Sequence, residues 1–186
     1  KFWNEEKNKG YGENFHDEKC IVAASIPPLN ASYRYDLVES KEVLQRDYAF
    51  ITKTIEPYVD IFLCETMSTI DEAIAAGTAA SMFNKPVWVS FTLSEYEKNL
   101  GNLRSGESVV DAVKMCIKHV GPNLKAILCN CSSITSISKA IVNIVSTIVE
   151  LGLEESIEIG AYANGFEATD EFMQEVEDAE CDIETL

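Results

Sequence analysis

The chain has 186 residues, which suits one domain, and its 46% hydrophobic content is enough to build a substantial core. Fifteen basic residues against 31 acidic ones give a formal charge of −16, so most of the surface would repel a phosphate backbone or an anionic membrane. Binding to nucleic acid or to membranes is therefore not expected. The opening stretch is charged, and no apolar run reaches the roughly 18 residues of a membrane span.

The six cysteines are scattered through apolar segments and lack the regular spacing of a secreted disulfide scaffold. We therefore expect reduced thiols and a cytoplasmic location. The whole chain is predicted to be a single domain with three parts: a polar lead-in over residues 1–20, βα repeats over 21–166 and an acidic tail over 167–186. The tail carries nine carboxylates between Glu167 and Glu184 and no Lys or Arg, which is typical of a solvated helix or a frayed end.

Five short apolar runs rich in β-branched residues predict strands. They are Ile21–Ile26, Val59–Cys64, Val87–Phe91, Ala126–Cys131 and Ile157–Tyr162. The intervening segments have apolar residues at three- and four-residue intervals, which predicts helices. These are Glu42–Glu56, Asp71–Phe83, Val109–Lys118 and Ser136–Leu151. This spacing indicates repeated βαβ units with a parallel sheet.

Two sequences match the capping box that starts a helix. One runs from Ser68 to Asp71 and the other from Ser108 to Asp111. Each directly follows a predicted strand or its loop, so the helices are expected to begin at the carboxyl ends of the strands.

In parallel α/β folds the carboxyl ends of the strands form the active face. The predicted strands all end in small or polar residues, and two ends carry reactive groups, the carboxylate of Glu65 and the thiol of Cys131. Each also has a simpler explanation, because a glutamate suits a helix N-terminus and an isolated cysteine is usually a small buried hydrophobe. Strand alternation would point Cys129 and Cys131 to the same side, but two ligands do not complete a zinc site.

Four aromatic residues beside the strands are candidates for lining a pocket, although packing in the core or at the rim is the default interpretation. They are Tyr33, Tyr35, Trp88 and Tyr162. The common fingerprints of nucleotide-binding proteins, zincins and serine hydrolases are absent from the sequence.

Five segments, read in chain order, resemble motifs of the homocysteine S-methyltransferase family. They are VAASIPPL with SYRYDLV (22–29 and 32–38), VDIFLCETM (59–67), PVWVSFTL with LRSGES (86–93 and 103–108), LCNCSS (128–133) and AYANGF (161–166). Tyr35 stands where the family usually has proline. The resemblance implies a TIM (β/α)8 barrel, of which this chain holds about strands 3 to 7.

The resemblance also implies the roles of particular residues. Cys131 would be a zinc ligand and Glu65 would receive the ammonium of homocysteine. The remaining pocket residues would be Ser25, Ser90, Thr92 and Asn164. Zinc held by three thiolates would activate the homocysteine thiol, and a methyl donor would then convert it to methionine.

The family's first, second and eighth strands have no counterpart in the sequence, and two further cysteine ligands are expected from that eighth strand. Cys181 lies in an acidic context and does not replace them. This 186-residue chain alone is therefore expected to be inactive. A truncated, zinc-free paralogue that acts as an interaction or small-ligand module is the alternative, and an open doubly wound domain with helices on both faces is a third possibility.

Overall fold

The computed structural model describes residues 20–165. The predicted lead-in and acidic tail lie outside the described residues, apart from Cys20. Five strands and four α-helices alternate along the chain: β1 (Ala23–Ile26), α1 (Lys41–Ile55), β2 (Ile61–Met67), α2 (Ile70–Ser81), β3 (Val87–Phe91), α3 (Val109–Val120), β4 (Leu124–Asn130), α4 (Ile134–Glu150) and β5 (Glu158–Tyr162). Short 3₁₀ turns lie at Tyr35–Leu37, Glu56–Tyr58, Glu97–Asn99 and Gly121–Asn123.

All five strands are parallel, and their order in the sheet is their order in the chain. Right-handed crossovers between successive neighbours place every connecting helix on the same face. Each described helix also packs beside the next one along the chain. The α/β prediction is therefore confirmed, and the open doubly wound alternative is wrong because the strand order has no reversal.

The two faces of the sheet differ in burial. Side chains on the helix-covered face, such as Phe62, Cys64, Val89 and Ile127, are fully buried. On the opposite face, Ser25, Leu63, Trp88 and Leu128 are exposed or half-buried, although they alternate with the buried set along the same strands. We call this second face the open face. A sheet covered on one side by helices matches part of a TIM-like barrel, whose other side faces the barrel interior.

Four of the five strands differ in their bounds from the prediction, and β5 does so only by beginning one residue later, at Glu158. β1 begins at Ala23: the Val22 N–H donates to the Asp60 side chain, while the Val22 carbonyl accepts from Asp60 N and Ile61 N. The 3₁₀ turn Glu56–Tyr58 delays β2, which then runs on to Met67 and contains Glu65. β4 begins at Leu124 and ends at Asn130, because Cys131 adopts a left-handed conformation with φ of 50°.

The capping boxes hold α2 and α3 against the carboxyl ends of the strands. The Ser108 side chain accepts a hydrogen bond from Asp111 N, as predicted. At α2 the cap is Thr69 instead of Ser68: its hydroxyl accepts from Glu72 N, and the Glu72 carboxylate accepts from Ser68 N at 3.1 Å. The box is thus shifted by one residue from its predicted position.

Glu72 is the buried carboxyl group of this cap, with only 2% of its surface exposed. Burial raises the pKa of Glu72, and the hydrogen bonds from Ser68 N and Tyr48 offset this only in part. An acid whose pKa is raised on folding binds more protons in the folded state, so the protein loses stability as pH rises above the ordinary glutamate pKa of about 4.3.

Glu72→Gln should remove this pH dependence while its amide oxygen still accepts from Ser68 N. We expect the free energy of unfolding of the variant, relative to the parent, to increase between pH 4 and pH 7, by about 1.4 kcal/mol for each unit of raised pKa. Urea unfolding at several pH values measures this. Glu42→Gln on the exposed side of α1 is the control, and parallel curves for Glu72→Gln and the parent would contradict the prediction.

Candidate active site

Glu65 lies on the open face near the carboxyl end of β2, where the strand is irregular. The register between β2 and β3 shifts between Cys64 and Met67, and Thr66 has a φ of 62°. A positive φ is a genuine outlier for a β-branched residue. Irregularities of this kind redirect a side chain out of the regular pleat, and here the side chain beside the irregularity is the Glu65 carboxylate.

Both oxygens of Glu65 accept a hydrogen bond from a side chain. The Ser25 hydroxyl of β1 donates to Oε1, and the Tyr162 hydroxyl of β5 donates to Oε2 at 2.8 Å. An ionised carboxylate has about four acceptor positions. Glu65 therefore keeps acceptor capacity after both contacts, and its side chain is only half-buried.

The Tyr162–Glu65 hydrogen bond also reports the shape of the sheet. β5 and β2 are separated by β3 and β4, so their backbones would lie about 14 Å apart in a flat sheet. Because strand side chains stand roughly perpendicular to the sheet, a direct hydrogen bond over three strand spacings indicates that the sheet curves towards the open face. This curvature has the direction that a barrel wall requires.

The Tyr162 hydroxyl is fixed as a hydrogen-bond donor. Burial raises the pKa of Tyr162, and the hydrogen bond to Glu65 and the nearby Cys131 raise it further. The phenol therefore stays protonated at neutral pH. Tyr162 therefore contacts the carboxylate on β2 and lies near the thiol after β4.

Asn130 is the last residue of β4 and is completely buried. Its Oδ1 accepts hydrogen bonds from Ser90 Oγ at 2.6 Å and from Thr66 N at 3.1 Å. Its Nδ2 donates to Thr66 Oγ1 at 2.8 Å and lies 3.2 Å from Cys131 Sγ. One amide thus joins β2, β3 and β4 directly beside the half-exposed Cys131 thiol.

The other predicted pocket residues lie at the same edge of the sheet. Thr92 is fully buried, and its hydroxyl is 3.4 Å from Ser132 Oγ, which itself accepts from Leu93 N at 2.8 Å. Asn164 N donates to the carbonyl of Ser132 at 2.9 Å, and the Asn164 side chain is half-buried. The structure thus brings all six predicted site residues to one edge, and their roles as ligands stay predictions.

Sequence reasoning did not select Asn130, Thr66 or Ser132, and it gave Tyr162 the default interpretation of packing. For two of them a signal was available. Asn130 and Tyr162 both lie at inward positions at the carboxyl ends of strands, where a polar side chain has only other site residues as partners. Ser132 and Thr66 contribute through backbone hydrogen bonds and, at Thr66, a left-handed conformation, which no sequence pattern predicts.

A model described as homocysteine S-methyltransferase matches residues 5–184. This covers nearly the entire chain and extends beyond the segments whose motifs predicted the resemblance. The chain belongs to the homocysteine S-methyltransferase family. A search of curated proteins found no significant match. The family is one of methyltransferases, so an enzymatic role in methyl transfer is the general expectation for this homocysteine S-methyltransferase-type chain.

The residues described for this homocysteine S-methyltransferase-type chain do not complete a zinc site. Within residues 20–165, no three His, Cys, Asp or Glu side chains are grouped in a way that would hold a metal ion. Among these residues, Cys131 has a half-exposed thiol beside Asn130 and near Tyr162. The prediction that Cys129 points the same way is wrong, because Cys129 is buried on the helix-covered face while the left-handed backbone of Cys131 ends the alternation.

None of the helices within residues 20–165 is long and apolar enough to span a bilayer.

Thiol accessibility provides a direct test of this arrangement. Burial raises the pKa of Cys116 and of Cys129 to about 12 each, and Cys64 is equally inaccessible. Under native conditions we expect iodoacetamide to modify Cys20 and Cys131 well before the three buried cysteines, because alkylation needs an accessible thiolate. Peptide mass spectrometry over time measures the order. Early labelling of Cys129 would show that the thiols are arranged differently.

Proposed function

We propose that this chain binds homocysteine at the open face and takes part in transferring a methyl group to its thiol, giving methionine. The observation that carries the proposal is that Glu65 and Cys131 lie at one edge of the sheet, where Tyr162 bonds to the carboxylate and lies near the thiol. Family membership supplies the reaction class, and the geometry supports a substrate with an amine and a thiol.

The carboxylate side of this site suits a primary ammonium group. Glu65 is held by two hydroxyl donors that fix its orientation, and it keeps acceptor capacity on a half-buried side chain. An ammonium group would complete the acceptor positions with charge-assisted hydrogen bonds, which are stronger than those between neutral groups. The net charge of −16 further favours a cationic group over an anionic one.

The thiol side lies at Cys131. The proposed reaction is an in-line displacement, in which the homocysteine sulfur bonds to the methyl carbon while the bond from that carbon to the donor breaks and the thiol proton is lost. The chain's contribution within the described residues is to bind and orient the substrate, which is a major source of rate enhancement in displacement reactions. Ser90 and Thr92 are proposed to shape the pocket wall, and Asn164 to lie at its rim.

Zinc forms part of this proposal only through the family resemblance. A zinc ion that activates a substrate thiol needs three protein ligands, and residues 20–165 supply only Cys131 near the site. The two further thiolates would have to come from outside these residues. No step above therefore depends on the metal.

Glu65→Gln tests the ammonium site. The amide retains the shape of the carboxylate but loses its charge, so we expect homocysteine to bind roughly 10- to 100-fold more weakly, the range for one charge-assisted hydrogen bond. Isothermal titration calorimetry measures the affinity. Glu97→Gln, on an exposed 3₁₀ turn after β3, is the matched control.

A thiol without the amine separates this role from a general loss of structure. The affinity for 4-mercaptobutyrate should be similar in Glu65→Gln and the parent protein. If Glu65→Gln lowers the affinity for both ligands equally, or leaves the affinity for homocysteine unchanged, the proposed role of Glu65 is contradicted.

The second candidate function is a zinc-free module that binds a small amino acid or a partner protein without catalysis. The incomplete set of metal ligands within residues 20–165 favours it. Zinc content and homocysteine methylation, measured together with S-methylmethionine, S-adenosylmethionine, betaine and methylfolate as donors, distinguish the two. Zinc binding and methylation that are both lost in Cys131→Ala would support the enzyme, whereas homocysteine binding without either property would support the module.

A further inference from the structure

Two residues that are not glycine adopt a left-handed backbone at the carboxyl edge of the sheet. Thr66, directly after Glu65, has a φ of 62°, and Cys131 has a φ of 50°. Such conformations are costly for residues with a β-carbon, and they persist only where the surrounding structure holds them. Both residues lie beside the two functional groups of the proposed site.

The side chain of Asn130 contacts both strained residues. It bonds to the backbone N–H and the hydroxyl of Thr66, and it approaches the sulfur of Cys131. The orientation of the amide follows from its partners: Thr66 N can only donate, so the atom 3.1 Å away must be the amide oxygen. With Ser90 Oγ as the fourth partner, all four hydrogen-bonding positions of the side chain are occupied.

We infer that Asn130 is a positioning residue that couples the ammonium half of the site to the thiol half. Its side chain holds Thr66, next to Glu65 on β2, and contacts the sulfur of Cys131 after β4, so the distance between carboxylate and thiol depends on one buried amide. This inference rests on the proposed function for the identity of the ligand groups. The coupling of the two strained residues rests on the contacts alone.

Nuclear magnetic resonance on the full chain tests the coupling without any ligand. The carbon chemical shifts of Thr66 and Cys131 report their φ angles, and hydrogen exchange at Thr66 N reports its bond to Asn130. In Asn130→Ala we expect both residues to leave the left-handed region and Thr66 N to exchange faster. Ser90→Ala removes one hydrogen bond to the same amide oxygen and should change neither φ angle.

Asn130→Asp provides a variant of nearly the same shape, in case the alanine variant does not fold. It keeps the oxygen that accepts from Thr66 N but loses the N–H groups that face Thr66 Oγ1 and Cys131 Sγ. We expect Thr66 N to stay protected and the shifts of Cys131 to change. If Asn130→Ala or Asn130→Asp folds and its Cys131 keeps the left-handed backbone conformation, the inference is overturned.

Ligand affinities then test the consequence for the site. Homocysteine has both groups, 2-aminobutyrate lacks the thiol and 4-mercaptobutyrate lacks the amine. If Asn130 sets the distance between the half-sites, Asn130→Ala should weaken homocysteine binding about 10-fold, within the range for coupled neighbours, while each analogue changes much less. Equal weakening of all three ligands would show a purely structural role and overturn the inference.

The two proposals fail in different ways. If the parent chain binds neither homocysteine nor its analogues, the proposed function fails, while the chemical shifts still decide whether Asn130 holds Thr66 and Cys131. If the parent binds homocysteine and Asn130→Ala binds it equally well, the proposed function stands and the positioning role fails.

Discussion

The arrangement of the chain depends on a sheet whose two faces have different partners. Helices cover one face, and on β1 to β4 most strand side chains that point to it are apolar and buried. Polar side chains on the strands therefore collect on the open face and at the carboxyl edge, where they must satisfy one another. The curvature of the sheet makes this possible, because it brings Tyr162 on β5 within hydrogen-bonding distance of Glu65 on β2.

Acidic residues hold the loops of this edge in place. Glu107 accepts hydrogen bonds from Ile70 N at the start of α2 and from the Ser105 hydroxyl in its own loop. Glu95 accepts from Ser133 N, which caps α4. The N-termini of these two helices attract negative charge, and the chain's own carboxylates occupy them. This gives the glutamate of the LRSGES segment a structural role: Glu107 joins the loop after β3 to the helix after β2.

The energetic balance at Thr66 shows how strain is maintained at the edge. A left-handed β-branched residue costs roughly 1–2 kcal/mol. Two buried hydrogen bonds between Thr66 and Asn130, one donated by Thr66 N and one by the Asn130 amide, contribute about 1 kcal/mol each and offset that cost. The strained geometry is therefore stable only while Asn130 is present, which is the kind of local dependence expected where backbone geometry serves a binding site.

The sequence predicted the elements well, because period and chain order suffice for them. The five strands and four α-helices of residues 20–165 occur in the predicted order, and the motifs place Glu65 and Cys131 at strand ends. Predicted strand ends were wrong where a local interaction interrupts the alternation of side chains. This happens at Val22, whose N–H bonds to the Asp60 side chain, and at Cys131, whose backbone is left-handed. Contacts such as Tyr162 with Glu65 were not predictable, since they depend on the curvature of five strands together and on no local pattern.

The wrong prediction at the site, that Cys129 and Cys131 point the same way, is explained by the left-handed backbone of Cys131, which also exposes the thiol of the candidate site. Alternation along a regular strand would have placed Cys129 and Cys131 side by side, and in that geometry both thiols would have been buried beneath the helices. The left-handed turn at Cys131 breaks the alternation and moves its sulfur to the side of Asn130 and Tyr162. The Cys131 thiol is therefore accessible because the alternation of side chains along β4 ends there. Asn130 is the residue whose side chain contacts this thiol and stabilises the arrangement.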